Sequence, residues 1–420
     1  MASDISSRRG LTLGLLALVA VLSYVDRQVF TLFQDDIKVE LGLDDAQLGL
    51  LTGIAFAAFY ALAAFPIARY ADRGDRRLVI AVCVSIWSVA TALSALAHNF
   101  WQMLLARIGL AAAEAGAGPA GMSLLTEIFP KERRTTVISV MLAANAVGLS
   151  GGLALAGWLS QWYGWRAVFL IVGLPGIAIG LLVYLLAAEP RRRGVLDPAP
   201  PQRSSPGEVL RTMASNPSLR WVALLLCMVP VTGFAFILWG ASFFQRVHAM
   251  DKTETGFWLG GAMAAGLVLG NLVAGWVGDR YGKAKPRFNG WFAGIGLLVS
   301  FPFGLGFALA GNAYVALACF VVVKFTMTLH LGPIIALCFA QVPEHMRAMM
   351  SATINMFIGL AGVGLGGTVA GFLSRYFTPE YGELSLQPAL AVLSFCLLVG
   401  GIAAIMAGRT ARPIDEGDRR

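Results

Sequence analysis

The chain has 420 residues, of which 57% are hydrophobic and only 13% charged, and its mean hydropathy is +0.70. Soluble domains carry roughly 25% charged residues, so this chain has too little polar surface to coat a water-soluble globule. A cytosolic enzyme, a secreted domain and a nucleic-acid binder are excluded. The isoelectric point near 9.4 does not argue for nucleic acid, because the basic residues gather at the ends of apolar runs rather than on one face.

In chain order, twelve apolar segments stand out: 11–33, 47–68, 78–97, 100–126, 136–160, 166–188, 219–244, 256–277, 288–310, 313–340, 348–374 and 386–408. At ~20 residues per span, each is long enough to cross a bilayer. Only helices satisfy their own backbone groups in lipid over such lengths, so the pattern predicts an all-α membrane bundle. The run from Leu11 is long and holds Asp26, which reads as a first span rather than a cleaved leader. Cys83, Cys227, Cys319, Cys338 and Cys396 all lie inside apolar runs with no close-spaced pair. They read as small packing residues, not as a metal or disulfide framework.

The connections alternate in basic charge. One set, from Arg8 and Arg9 to the tail beyond Arg409, holds 24 of the 32 lysines and arginines; the opposite set holds Lys38, Arg166, Arg246, Lys252 and Arg375. The positive-inside rule then places both termini in the cytoplasm. Asn216 is followed by proline and no N-glycosylation sequon occurs, which favours a bacterial inner membrane. Residues 189–218 are rich in proline and separate a bundle at 1–188 from one at 219–420. Within this linker, Ser205-Pro-Gly-Glu208 matches a capping box opening a short helix near 206–214.

The halves echo each other. AGWLSQWY at 156–163 resembles AGFLSRYF at 370–377, FPKERR at 129–134 aligns with VPEHMR at 342–347, and ADRGDRR at 71–77 aligns with GDRYGKA at 278–284. Three matches in one order at nearly constant offset argue for duplication of a six-span unit. Two such units around a central pathway are a transporter architecture.

On these residues the chain resembles the major facilitator superfamily over essentially its whole length. Ala68-Arg-Tyr-Ala-Asp72-Arg73-Gly74-Asp75-Arg76-Arg77 is similar to the motif between that family's second and third helices, with Ala68 and Asp75 where the pattern has glycine. Gly275-Trp-Val-Gly-Asp279-Arg280-Tyr-Gly282-Lys283 is the second-half copy and keeps both glycines. The resemblance implies twelve transmembrane helices in two pseudo-symmetric halves, and a gate role for Asp72, Arg73, Asp279 and Arg280. A topogenic charge cluster is the plainer alternative. Gly148, Gly151, Gly152 and Gly157 resemble the fifth-helix motif of the superfamily's antiporters, without its proline. A narrower resemblance, to the Spinster family of lysolipid and sphingolipid transporters, rests on Tyr24-Val-Asp26-Arg27, Arg107 with Glu114-Ala, and Phe129-Pro-Lys-Glu-Arg-Arg134.

Asp26, Arg27, Arg107, Glu114 and Lys324 lie deep in spans, with His330 a sixth candidate. A charge at mid-bilayer costs at least ~2.5–3.5 kcal/mol, so these groups must face the interior, pair, or neutralise. Arg107 and Glu114 are seven residues apart and share one helix face; Asp26 sits at the depth of Arg107, close enough to pair if the first and fourth spans adjoin. A buried carboxyl that moves between wet and dry, or paired and unpaired, states loads and releases a proton. Asp26 and Glu114 are therefore the candidate proton-coupling acids and Arg107 the cation between them, a static ion pair being the alternative; the Spinster resemblance implies the same roles. Arg27, Arg107 and Lys324 suit an anionic substrate headgroup. His330 precedes Gly332-Pro333, where a bend is predicted.

These features read as a proton-coupled secondary transporter working by alternating access on an amphiphilic anion such as a lysolipid, the alternative being a small organic anion or sugar acid. The one GxSxG string, Gly148-Leu-Ser150-Gly-Gly152, lies inside an apolar run rather than on a strand-to-helix elbow, and no HExxH or nucleotide-binding loop argues for an enzyme. A duplicated monomer lacks the multi-subunit ring of a channel. The expected partners are substrate, protons and membrane lipids, with no cofactor, metal or nucleic acid.

Overall fold

Apolar residues dominate every turn of the long segments, and backbone groups in lipid leave no alternative to helix. The structure, a computed structural model, describes residues 2–190, 205–281 and 286–411, with the side chains of residues 2–7, 72, 73, 278, 279, 281 and 286 left out. Among the described residues there is no strand. The helices are α1 (Ala2–Leu41), α2 (Asp45–Thr52), α3 (Ile54–Arg73), α4 (Arg76–Ser94), α5 (Phe100–Ile128), α6 (Arg134–Leu159), α7 (Trp165–Gly173), α8 (Pro175–Leu186) and α9 (Pro206–Ser215). They continue as α10 (Pro217–His248), α11 (Lys252–Tyr281), α12 (Pro286–Leu309), α13 (Ala313–Thr328), α14 (Leu331–Phe339), α15 (Arg347–Phe357), α16 (Gly367–Tyr381) and α17 (Leu386–Thr410).

Ten stretches of described helix are long and apolar enough to cross a membrane. One of them, Glu344–Thr410, contains two crossings that turn at Gly382, where φ is +56°. α5, diluted by Arg107, Glu114 and its glycines, is the remaining span. Together these make the twelve crossings expected from the sequence.

Starts and breaks have local causes. Asn99, Asn216 and Asn312 cap α5, α10 and α13 by accepting backbone N–H bonds, Gln102 N to Asn99 Oδ1 at 3.0 Å for example. Ser205 Oγ accepts from Glu208 N at 3.2 Å, so the short linker helix begins where the capping pattern placed it. The tenth crossing breaks at Leu329–His330, one turn before the expected bend. Pro333 has no N–H for the carbonyl of Leu329, so the helical ladder fails there rather than at the proline itself. The eleventh crossing carries a nine-residue π-helix, Ile358–Gly366, between α15 and α16.

The described residues form two units. The first draws on residues within 1–51, 55–199 and 251–260, the second on residues within 52–54, 200–250 and 261–420. In the first, α1 packs on α6, α4 packs on α5, and α1 and α4 both pack on α7–α8. In the second, α10 packs on the π segment and α16, α12 packs on α13 and α14, and α10 and α12 both pack on α17. Counted as crossings, first on fifth, third on fourth, and first and third on sixth recurs as seventh on eleventh, ninth on tenth, and seventh and ninth on twelfth. The repeated sequences adopt repeated structure: Pro130 and Pro343 each precede a three-residue 3-10 turn, with Arg133 N to Pro130 O at 3.0 Å and Met346 N to Pro343 O at 3.1 Å.

Close helix contact in the first unit depends on glycine. A Cβ on Gly148 would stand 2.5 Å from Val21 O, and one on Gly152 would stand 2.9 Å from Val25 Cα. These two glycines seat α6 against the α1 turn that carries Asp26 and Arg27, a small-residue contact suited to lipid.

Candidate functional site

Residues one apart on a helix point about 100° apart, so Asp26 and Arg27 leave α1 in different directions. Arg27 reaches α5: its Nη2 is 2.6 Å from Glu114 Oε1, and its Nε is 3.1 Å and 3.2 Å from the two carboxylate oxygens. Ser23, one turn before Arg27 on α1, donates its hydroxyl to the same Glu114 Oε1. The Arg27 guanidinium also lies 5.4 Å from the Tyr24 ring centre and 4.8 Å from that of Phe56 on α3.

Asp26 is 2% exposed, and neither of its oxygens has a hydrogen-bond partner. Thr91 of α4 approaches it without closing a hydrogen bond; the Thr91 hydroxyl is likewise unpartnered. Arg107 is 4% exposed and lies against aromatic rings, 4.1 Å from the centre of Phe30 and 5.8 Å from that of Phe56, with its Nε unpartnered. The pairing of Asp26 with Arg107 anticipated from helix depth therefore does not occur. Glu114 pairs with Arg27 instead, because the rotation of α1, set by the glycine seat of α6, aims Arg27 at α5 and Asp26 at α4. All four charges remain within electrostatic range of one another.

Lys324 lies in the second unit, 3% exposed on α13. Its Nζ donates to Gly233 O at 2.9 Å and is 5.2 Å from the Phe320 ring centre. No carboxylate among the described residues is within ion-pair distance of it, so its charge faces only a carbonyl dipole and a ring. His330 bonds the carbonyl of Met327 through Nδ1, the polar packing role. The Asp72, Arg73 and Asp279 side chains lie outside the described residues; Asp72 and Arg73 end α3, and Asp279 and an exposed Arg280 lie in the last turn of α11.

Two features escaped the sequence. Arg76 is fully buried, with Nη2 2.6 Å from Glu189 Oε1 and 2.7 Å from Glu127 Oε2, and Nη1 3.2 Å from Ser123 Oγ. It ties the start of α4 to the end of α5 and to the segment after α8. Spacing alone counted it among topogenic charges, since its partners are 51 and 113 residues away. Asp75, which departs from the family glycine, caps α4: its Oδ1 accepts from Arg77 N at 3.0 Å and Leu78 N at 3.4 Å. Burial works against the ionised form, yet the Arg77 side chain and these N–H donors hold the Asp75 carboxyl below the usual carboxylate range.

At the opposite end of the first unit, Asp36 pairs with Lys252 at 3.0 Å and Glu40 with Arg166 at 2.9 Å. A cavity of about 600 Å³ lined by Phe33, Asp36, Glu40, Trp162, Trp165 and Lys252 lies there, away from the buried charge cluster. No group of three or more metal-ligating side chains occurs among the described residues.

The sequence profile of the Major Facilitator Superfamily matches residues 16–366. An MFS-type efflux pump of Mycolicibacterium smegmatis is 31% identical over 97% of this chain and 94% of its own length. A D-galactonate transporter of Escherichia coli is 26% identical over 95% of each. A solved bacterial homolog of the human lysosomal transporter Spinster, inward-facing and unoccupied, superposes with a TM-score of 0.85 and 27% identity, covering 96% of this chain and 98% of that one. Twelve helical crossings, repeated six-helix packing and buried charges within the spans agree with that profile: the chain belongs to the Major Facilitator Superfamily and is a multi-pass membrane transporter resembling Spinster.

Proposed function

We propose that this protein is a proton-coupled secondary transporter that moves an amphiphilic anion of lysolipid or sphingolipid type by alternating access. The observation that carries the reading is the uneven state of the two acids: Glu114 is closed onto Arg27 and Ser23, while Asp26 is buried with both oxygens unpartnered. An acid in each state, joined through Arg27 and Arg107, is a system in which one proton redistributes ion pairs. Arg27, Arg107 and Lys324 are the proposed contacts to the substrate's anionic group. Lys324 suits this best, because it holds a charge without a carboxylate to balance it. Asp72, Arg73, Asp279 and Arg280 act as the gate at the basic-loop end. The chain works as a monomer of two six-helix bundles, 1–188 and 219–420, joined by 189–218, with both termini on the cytoplasmic side of a bacterial inner membrane.

The test is uptake by proteoliposomes of a panel of lysophospholipids, with and without a proton gradient, for the unmodified protein, Asp26→Asn and Glu114→Gln. Gradient-driven uptake is expected in the unmodified protein and its loss in both variants; unchanged proton dependence in both ends the reading. A second reading, transport of a small sugar acid, is favoured by the likeness to the D-galactonate transporter. Competition by galactonate in place of lysolipid would select it.

A further inference from the structure

One aromatic ring lies against two cations within the spans, Arg107 buried and Arg27 part-exposed. Phe56 of α3 is 4% exposed, its ring centre 4.8 Å from the Arg27 guanidinium carbon and 5.8 Å from that of Arg107. Tyr24 touches only Arg27 and Phe30 only Arg107. Phe56 also stacks on Tyr60, ring centres 6.2 Å apart, so its position is fixed by its own helix.

The two cations differ in what else holds them. Arg27 has the Glu114 carboxylate; Arg107 has no ion pair. When Glu114 takes a proton, Arg27 loses its counter-charge while its side chain remains only 23% exposed. What then holds the guanidinium in place on the protein side is the negative face of the rings beside it. The titratable groups around the Arg27–Glu114 pair are Asp26 of α1, Tyr60 of α3 and Arg107 on the helix of Glu114, with Tyr24 of α1 on the Arg27 side. None of the other groups on α1 or α3 can offer a positive charge in place of Arg27.

We propose that Phe56 is the positioning residue of proton coupling: it keeps Arg27 beside Glu114 while that carboxyl is neutral and holds Arg107 on the Phe30 side. This rests on the proton-coupled reading above. The Arg27 charge held beside Glu114 is what drives the proton off that carboxyl before the empty carrier turns over. With Arg27 free to wander, the empty carrier turns over with Glu114 still protonated, releases that proton on the far side and returns with the carboxylate bare, so protons cross without substrate.

The experiment measures proton entry into pyranine-loaded proteoliposomes under an imposed potential, with and without added lysophosphatidylglycerol or galactonate. It compares the unmodified protein with F56L, F56Y, E114Q and F56L/E114Q. Leucine keeps an apolar side chain but has no ring face; tyrosine keeps the ring. The expectation is that F56L raises entry without substrate by about tenfold, the scale of a part-buried cation–π contact between the exposed and desolvated limits. F56Y should stay near the unmodified protein, and F56L/E114Q should lose the excess entry. Unchanged entry in F56L overturns the proposal, even if its transport rate falls, because a packing role alters rate and not the proton-to-substrate ratio. Excess entry that survives in F56L/E114Q also overturns it, since the leak then bypasses Glu114. If neither probe drives proton flow through the unmodified protein, the coupled reading itself fails and takes this proposal with it.

Discussion

Asp75 and Arg76 stand side by side and do unrelated work. Asp75 organises the first turn of α4, and its replacement by alanine should cost about 1 kcal/mol, the usual worth of such a cap. Its carboxyl is held below the usual range, so its stabilising contribution is complete above the unfolded value near about pH 4 and is lost as pH falls through the lower folded value. Thermal unfolding in detergent should therefore separate Asp75→Ala from the unmodified protein at neutral pH and bring the two together in strong acid. Arg76 is different in kind: removing it takes from Glu189, 1% exposed, the guanidinium 2.6 Å away. Arg76→Ala should cost about 3–5 kcal/mol. Adding Glu189→Gln to that variant should recover part of the loss, because a neutral amide is cheaper to bury than a carboxylate that has lost this guanidinium. Equal melting of the single and double variants would show that the cost is packing and not charge.

At the scale of elements, the glycines of α6 are not interchangeable. Gly148 and Gly152 touch the α1 backbone, whereas Gly151 has nothing within 4 Å of a built Cβ. Gly148→Ala must push α1 away from α6, and with it the Arg27 that meets Glu114. It should cost about 1–3 kcal/mol, as overpacking does, and should reduce transport, while Gly151→Ala leaves melting temperature and uptake unchanged. Equal effects of the two would remove the glycine seat from the explanation. The breaks in the tenth and eleventh crossings show the same local logic. Pro333 marks the first through a missing donor one turn away, and Gly359, Gly362, Gly364 and Gly366 accompany the π segment. A Cβ on Gly366 would stand 2.6 Å from Val231 O, so this segment also lies against backbone.

At the scale of the molecule, the duplicated packing of crossings explains why three short sequence echoes survive while most side chains do not. The prolines before α6 and α15 start equivalent helices, and the backbone geometry is what must be repeated; the charges are not. The first unit carries the buried Asp26, Arg107 and Glu114 with the part-exposed Arg27 deep in its spans, and the second carries Lys324, so the duplication of backbone did not extend to these charges. The proposed orientation follows from the basic connections and is checked by fusion. A green fluorescent protein joined after Arg420 should fluoresce in cells, and an alkaline phosphatase joined there should be inactive. The opposite result would invert the topology.

The sequence by itself determined the class of molecule, the number of crossings, the duplication and the helix face shared by Arg107 and Glu114. Each follows from a local count: apolar length against bilayer thickness, charge at the ends of runs, and residue spacing against the helical period. The helix start at Ser205 was local too, because a cap acts within three residues. Partner choice was decided only by the tertiary structure. Whether Glu114 meets Arg27 or Arg107, whether Asp26 closes an ion pair, which acids hold Arg76, and which ring lies between two guanidiniums all depend on how helices are rotated about their own axes. Close contacts such as Gly148 on Val21 fix that rotation, between residues more than a hundred positions apart in the chain.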